Sequence, residues 1–354
     1  MLFLAGNMKF DLPASIGREV FVEAIIMTNE LFNSYSIKKF PEESKDIFDE
    51  GIIVYHYTSP EAFLSIITNE YIRFSDARYM NDKSEGKFFI KALLEFLEKN
   101  KNVYPLFEEA TYLLLKQNDV NMLKELEITN IDYYDPPKLK YKTQRQFLFC
   151  TCTSPDLLNM WNYYVNNGNY QGYNIGLKLS KILKTFDTDN QKELNSFSVY
   201  YGEVIYSAKD QEKEIKKLAE EIEKKYKNDK IEYAVLKIRA YAESQGLFYK
   251  SNKFSGEKEY RILVCMSDDN VPRLKSDAQK YFGKNNKELS EGFCTKNGLI
   301  VPFLNVKLPF ESISRITTSP ITEYNIAKEG IKEVLKTKGQ SSIPVYKSTI
   351  PIRF

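Results

Sequence analysis

A strand-length apolar run that leads straight into a helix start places the strongest limit on the fold. Residues 52–57 form the run, and Thr58 follows as a candidate N-cap. Glu61 lies three residues later and Pro60 falls in the first turn, which is the pattern of a capping box. Similar strand and helix patterns recur along the chain, so the sequence predicts an α+β protein.

The remaining patterns extend this prediction to most of the chain. We expect strands at 71–74, 146–153, 173–179, 198–206, 259–266, 298–306, 313–319 and 345–350. We expect helices at 16–35, 85–100, 103–126, from Ser154-Pro155 onward, at 211–227 and at 231–245. Residues 128–142 are predicted to be a loop, and the Lys/Glu-rich helix 211–227 to expose a solvated face.

Composition excludes several classes of protein. The 354 residues carry 50 basic and 48 acidic side chains, so a strongly basic nucleic-acid-binding protein is not the default. No run approaches the roughly 20 apolar residues of a membrane span, and we expect no membrane partner and a cytoplasmic protein. The four cysteines are Cys150, Cys152, Cys265 and Cys294. Their spacing does not fit a usual zinc site, so we expect buried, reduced thiols.

His56 is the single histidine of the chain, so a histidine-rich metal site is excluded. It lies in Tyr55-His56-Tyr57-Thr58-Ser59, between aromatic and hydroxyl side chains. Three roles remain open from the residues alone: a general base, a hydrogen-bond donor to a ligand, or a core residue.

A second candidate segment is Glu257-Lys258-Glu259-Tyr260-Arg261. Strand alternation places Glu257, Glu259 and Arg261 on one face. Two neighbouring carboxylates raise the pKa of one of them unless a cation or ligand intervenes. The alternative is an exposed charged strand edge.

These segments together resemble a bacterial family of unknown function. The shared motifs are Tyr-His-Tyr-Thr-Ser, Ser-Asp-x-Arg-x-x-Asn-Asp-x-x-Glu from Ser75, a Cys-x-Ser/Thr strand (here Cys152-Thr153-Ser154) before Met160-Trp161, and Glu-x-Glu-Tyr/Trp-Arg from Glu257. The start of the chain's first strand and helix also resembles the ADP-ribosyltransferase fold, which implies a split mixed β-sheet with helical insertions. The helical pattern around residues 16–35 predicts that residues 1–50 form an N-terminal helical extension or cap. By resemblance, residues 51–354 form one ADP-ribosyltransferase-like domain, with helical insertions at about 85–130 and 207–246.

The resemblance also implies roles for individual residues. Glu259 would stabilise a ribosyl cation, Glu257 would meet the acceptor, and His56 would bond the ribose of NAD as co-substrate. The residues expected to hold NAD are His56, Tyr57, Thr58, Ser59, Ser75, Arg78, Tyr79, Asn81, Thr151, Thr153 and Trp161. For three of them a structural alternative stays open: Arg78 could pair with Asp82 or Glu85, Asn81 could form a turn, and Trp161 could lie in the core.

The leading functional hypothesis is therefore NAD-dependent ADP-ribosyl transfer without a metal. The acceptor would be a protein or a nucleic acid, in a toxin-like or antiviral defence role, with a possible homo-oligomer or regulatory partner. The first alternative is a non-catalytic nucleotide- or nucleic-acid-binding module on the same fold. The second is a metal-dependent nuclease or phosphodiesterase. The transferase hypothesis requires His56 and Glu259 on adjacent strands, facing one cleft, with Thr151 or Thr153 nearby.

Overall fold

A computed structural model gives the fold. It describes residues 36–41, 51–80, 87–117, 144–165, 170–187, 197–229, 231–267, 289–296 and 298–352. Predicted elements at 16–35, 118–126 and 128–142 lie outside these residues.

One mixed β-sheet organises the described part of the chain. Its strands are β1 Ser36–Lys39, β2 Ile53–Thr58, β3 Tyr71–Asp76, β4 Gln144–Cys152, β5 Tyr173–Lys178, β6 Phe197–Glu203, β7 Glu259–Ser267, β8 Leu289–Lys296, β9 Leu299–Lys307, β10 Ile313–Thr318 and β11 Val345–Lys347. The main path runs β1-β6-β7-β4-β2-β5-β10-β11. The β1–β6 and β10–β11 pairs are parallel, and the other pairs are antiparallel.

The sheet forks at β4. One end of this strand pairs with β2 through Tyr55 and Cys152. Its middle pairs with β3 through Leu148 and Ser75, and β3 continues into β9 and β8. The structure therefore has the mixed sheet with helices that was predicted for an α+β protein.

Helices cover both faces of the sheet. They are α1 Pro60–Asn69, α2 Lys87–Lys99, α3 Pro105–Gln117, α4 Leu158–Tyr163, α5 Leu179–Lys184, α6 Ala208–Lys225, α7 Ile231–Glu243 and α8 Tyr324–Thr337. Apolar residues of α1, α5 and α8 pack on one face, together with Val54 and Ile262. Residues of α2, α3, α6 and α7 pack on the other face against Leu148 and Leu263. The described helices of the regions near 85–130 and 207–246, which are α2, α3, α6 and α7, thus supply the second layer.

Helix α1 begins one residue later than predicted. Ser59, not Thr58, is the N-cap, and its hydroxyl accepts from the Ala62 amide at 3.2 Å. Thr58 is the last residue of β2 and is buried. Glu61 therefore occupies the second helical position, so the predicted capping box is wrong by one residue.

Other boundaries also differ from the predictions. Helix α4 begins at Leu158 rather than at Ser154-Pro155. Strand β1 lies within the stretch expected to be a helical cap. Strand β8 and helices α5 and α8 were not predicted; β8 contains polar and glycine residues, which weaken the alternation of a strand.

No helix within the described ranges is both long and apolar enough to cross a membrane.

Candidate functional site

Four charged side chains meet at the start of β7. Arg261 donates to both oxygens of Glu259, Nε to Oε1 and Nη2 to Oε2, each at 2.9 Å. The Lys250 ammonium donates to Glu257 at 2.6 Å and to Glu259 at 3.3 Å. All four residues are buried, so the alternative of an exposed strand edge is wrong. We call these four residues the ion cluster.

The two cations change the electrostatics expected of paired carboxylates. Burial acts to raise the pKa of Glu259, but the charges of Arg261 and then Lys250 outweigh it and lower the pKa to about 2. Burial acts to lower the pKa of Lys250, and the two glutamates more than offset this and raise it. Glu259 is therefore ionised and neutralised by its neighbours at physiological pH.

The ion cluster does not have the arrangement of a metal site. Its carboxylates are already bound by cationic side chains. Among the described residues, no group of three His, Cys, Asp or Glu side chains is placed to hold a metal ion.

Strand register separates His56 from Glu259. Strand β4 lies between their strands, and Tyr55 pairs with Cys152, which pairs with Glu259. Directly paired residues share a face, and successive residues alternate. Glu259 therefore shares a face with Tyr55, and His56 points to the other face. The prediction that His56 and Glu259 face one cleft on adjacent strands is wrong.

The surroundings of His56 agree with this assignment. Its ring lies 4.7 Å from the ring of Phe149, which belongs to the apolar core on the opposite face from Glu259. Its Nδ1 lies 3.4 Å from the Cys150 carbonyl oxygen. Burial lowers the pKa of His56 to about 4, with the Cys150 contact opposing the shift. The side chain is thus partly buried against the core and neutral at physiological pH.

The predicted hydroxyl-bearing residues are dispersed. Thr151 is buried, and its hydroxyl donates to the Tyr260 carbonyl at 2.7 Å. Thr153 is exposed, with its amide bonded to the Lys258 carbonyl at 2.9 Å. Ser75 lies in β3, opposite Leu148. Of these three side chains, only Thr153 lines one of the cavities described below.

The aromatic ring of Trp161 belongs to the core. Trp161 is fully buried, and its Nε1 donates to Asp156 at 2.7 Å. Tyr57 meets it edge-to-face at 4.8 Å, and the Tyr57 hydroxyl accepts from the Leu157 amide and donates to the Ser154 carbonyl. Neither ring is available to stack on a ligand.

Arg78 pairs with an acidic residue other than the two expected. Its guanidinium bonds both oxygens of Asp76, at 2.9 and 2.8 Å, and Arg145 bonds the same carboxylate. Tyr79 lies beside Arg78, with the guanidinium carbon 5.8 Å from the ring centroid. Asn81, Asp82 and Glu85 lie outside the described residues.

Two adjoining cavities lie beside the ion cluster and share Tyr206, Ser207 and Asn252. The larger cavity has a volume of about 680 Å³, an apolar wall that includes Phe40 and Tyr260, and the charged residues Lys39, Glu203 and Asp210. The smaller one has about 520 Å³ and the charged residues Lys91, Glu95 and Lys209. Helix α6 begins between them, with Ser207 as its N-cap.

Tyr206 connects the cavities to the ion cluster. Its hydroxyl accepts from the Glu259 amide at 3.0 Å, and its side chain lines both cavities. Burial, opposed by this bond and reinforced by the nearby carboxylates, raises the pKa of Tyr206. The hydroxyl is therefore a neutral polar group at the junction.

Sequence patterns did not identify Lys250, Tyr206 or, apart from Thr153, the cavity residues. Lys250 lies between two short 3₁₀ turns, Gln245–Phe248 and Asn252–Glu257, where no periodic pattern applies. Tyr206 follows β6 in a connecting segment. The one sequence signal for Lys250 as a member of the ion cluster is its position a few residues before Glu257 and Glu259.

Comparison with known proteins gives one match. The model of a family described as "Protein of unknown function (DUF2971)" matches residues 160–262, less than a third of the chain. This range contains Trp161, Tyr206 and the whole ion cluster, whereas His56 and Thr153 lie outside it. No curated protein and no solved structure matches significantly.

Proposed function

We propose that this protein binds NAD, or a dinucleotide of the same chemistry, in the two cavities joined at Tyr206. The observation that carries the proposal is their opposite charge. The larger cavity has two carboxylates and one lysine on its wall, and the smaller has two lysines and one carboxylate. NAD has a matching asymmetry, with a cationic nicotinamide riboside at one end and an anionic diphosphate in the middle.

The size and the wall chemistry support this assignment. Both volumes fall in the range of roughly 300–1,000 Å³ typical of small-molecule sites. The riboside would lie in the larger cavity, with Glu203 and Asp210 near its hydroxyls and the apolar wall near its ring. The diphosphate would lie against the N-terminus of α6 and Lys209, because helix N-termini favour anions.

ADP-ribosyl transfer on an ADP-ribosyltransferase-like fold remains a proposal that builds on this binding. His56 and Glu259 do not support it as a cooperating pair, because they face opposite sides of the sheet. Glu259 is also poorly suited to stabilise a ribosyl cation, since Arg261 already neutralises it in a bidentate pair. Glu257 is the better candidate carboxylate. Its ion pair is with Lys250, whereas Glu259 pairs with both Lys250 and Arg261.

NAD binding is tested by calorimetric titration of wild type and of Lys209→Glu. Reversing this charge should weaken NAD binding about tenfold, which corresponds to about 1.4 kcal/mol. The matched control is Lys224→Glu, the same change near the C-terminal end of the same helix, and it should bind like wild type. Equal affinity for all three proteins would contradict the proposed site.

Nicotinamide release in the same samples separates the functional alternatives. Release without added metal supports the transferase, and release lost in Glu257→Gln assigns that carboxylate. Binding without release supports the non-catalytic module. Cleavage of nucleic acid that strictly requires Mg²⁺ would support the nuclease alternative instead.

A further inference from the structure

An exposed aromatic and basic surface lies on the outer side of the ion cluster. We call it the tyrosine–lysine surface and define it by Asn159, Tyr163, Tyr164, Lys253, Phe254 and Lys258. We propose that it binds single-stranded nucleic acid. The proposal rests on residues that do not line the two cavities, so it is independent of NAD binding.

The side chains of this surface come from two adjacent segments. Helix α4 supplies Asn159 and Tyr163, which are i and i+4 and so lie on one side of the helix. The Asn159 amide nitrogen is 2.8 Å from the point that a Cβ on Gly256 would occupy. Gly256 belongs to the 3₁₀ turn Asn252–Glu257, which carries Lys253 and Phe254. Tyr163 and Phe254 are therefore presented by neighbouring elements.

Three large aromatic side chains remain accessible there. Tyr163 is 66% exposed, Phe254 38% and Tyr164 37%. The Tyr164 hydroxyl lies in the buried part of that side chain, where burial and the nearby carboxylates of the ion cluster raise its pKa. Phe254 is oriented by the Lys250 ammonium, which lies 4.7 Å from its ring centroid. Exposed rings on a positive surface are the platforms on which unstacked bases bind, because every base has a π-face.

The exposed charge of this surface is positive. In residues 158–164 and 252–258 the single acidic residue is Glu257, which is buried and paired with Lys250. Lys253 and Lys258 are exposed. Lys258 has φ 46°, a left-handed conformation that favours glycine, and it points outward between buried Glu257 and Glu259. Within residues 158–164 and 252–258, two lysines and no carboxylate are exposed, and this charge complements phosphates.

The test is fluorescence anisotropy of a labelled oligothymidylate of roughly 12 nucleotides, long enough to span such a surface. Wild type should bind it. The double variant Lys253→Glu/Lys258→Glu should lose at least about tenfold in affinity. The slope of the logarithm of its binding constant against the logarithm of salt concentration should fall in magnitude by about 1.4, because two phosphate contacts at roughly 0.7 each are lost. Tyr163→Ala should lose about tenfold through the lost stacking.

Matched controls remove the same chemistry elsewhere. Lys224→Glu/Lys227→Glu makes the same charge change at the end of α6, and Tyr112→Ala removes a tyrosine on α3 that is 39% exposed. Both should bind within about twofold of wild type, and unchanged melting temperatures for all variants exclude unfolding as the cause.

Three outcomes would overturn the proposal. One is the absence of oligothymidylate binding at about 50 mM salt, where phosphate contacts are strong; this outcome would leave a protein partner as the occupant. Another is equal loss in the surface and control variants. The third is equal affinity for a duplex of the same length, because stacked bases cannot use the exposed rings.

Discussion

Replacing Glu259 by glutamine would remove the central anion of the ion cluster. The positive charge of Arg261 would then be fully buried without the carboxylate that balances it. Arg261 would keep its hydrogen bond to the Leu247 carbonyl. Removing one partner of a buried ion pair costs about 3–5 kcal/mol, because the other charge remains without compensation.

The pKa of Glu259 gives an independent magnitude. Its fall from 4.5 to about 2 corresponds to about 3 kcal/mol of stability. Because the folded-state pKa is lowered, this stability is present above pH 4.5 and is lost as the pH falls toward 2. Two separate arguments thus agree that Glu259→Gln should lower the free energy of unfolding by about 3 kcal/mol near neutral pH.

The assay is urea denaturation of wild type and Glu259→Gln between pH 6 and pH 3. The difference in free energy of unfolding should narrow by about 2 kcal/mol over this interval, since the wild type alone loses the Glu259 contribution. The matched control is Glu243→Gln, which breaks the 2.7 Å Arg239–Glu243 pair of α7, whose side chains are 23% and 31% exposed. That variant should cost less than about 1 kcal/mol. A difference between wild type and Glu259→Gln that stays constant with pH would refute the assigned role of the carboxylate.

Two further predictions concern the core. Burial lowers the pKa of His56 to about 4. As the pH falls, His56 is therefore protonated in the unfolded chain before it is protonated in the folded protein. The free energy of unfolding of the wild type should fall by about 2 kcal/mol between pH 7 and pH 5. His56→Phe should abolish that loss, and an unchanged pH dependence would show that His56 is solvated. Asp156 accepts from Trp161, Ser348 and Thr349. Asp156→Ala should shift the emission of Trp161 and speed amide exchange at Thr349, whereas the exposed control Asp229→Ala should change neither.

The strands of the sheet were largely predictable because apolar runs of strand length are bounded by turn residues. The α1 helix start was found one residue early, because Thr58 and Ser59 are both good N-caps and sequence cannot choose between them. Strand β8 escaped detection, since its polar residues and Gly292 do not alternate with apolar ones. The order of the strands was not predictable, because long-range pairing leaves no local pattern.

The candidate site shows the same division. Glu257 and Glu259 were identified from their spacing, but their burial depended on Lys250 and Arg261, one of which comes from a different segment. His56 was wrongly predicted to share a face with Glu259, because one strand position decides the face and a shift of one residue reverses it. Thr153 lines the larger cavity, but the sequence could not locate that cavity because its wall comes from segments far apart in the chain.

The interleaved order of the sheet has a consequence for how the chain reaches its native state. Strand β4 lies between β2 and β7, and Cys152 finds Glu259 only after more than a hundred intervening residues have been made. During synthesis, β4 therefore emerges well before β7 and remains without that neighbour. Closing such long loops is entropically slow. The edge of β4 that faces β7 stays unpaired until then, and such an edge is the surface through which incompletely folded chains associate.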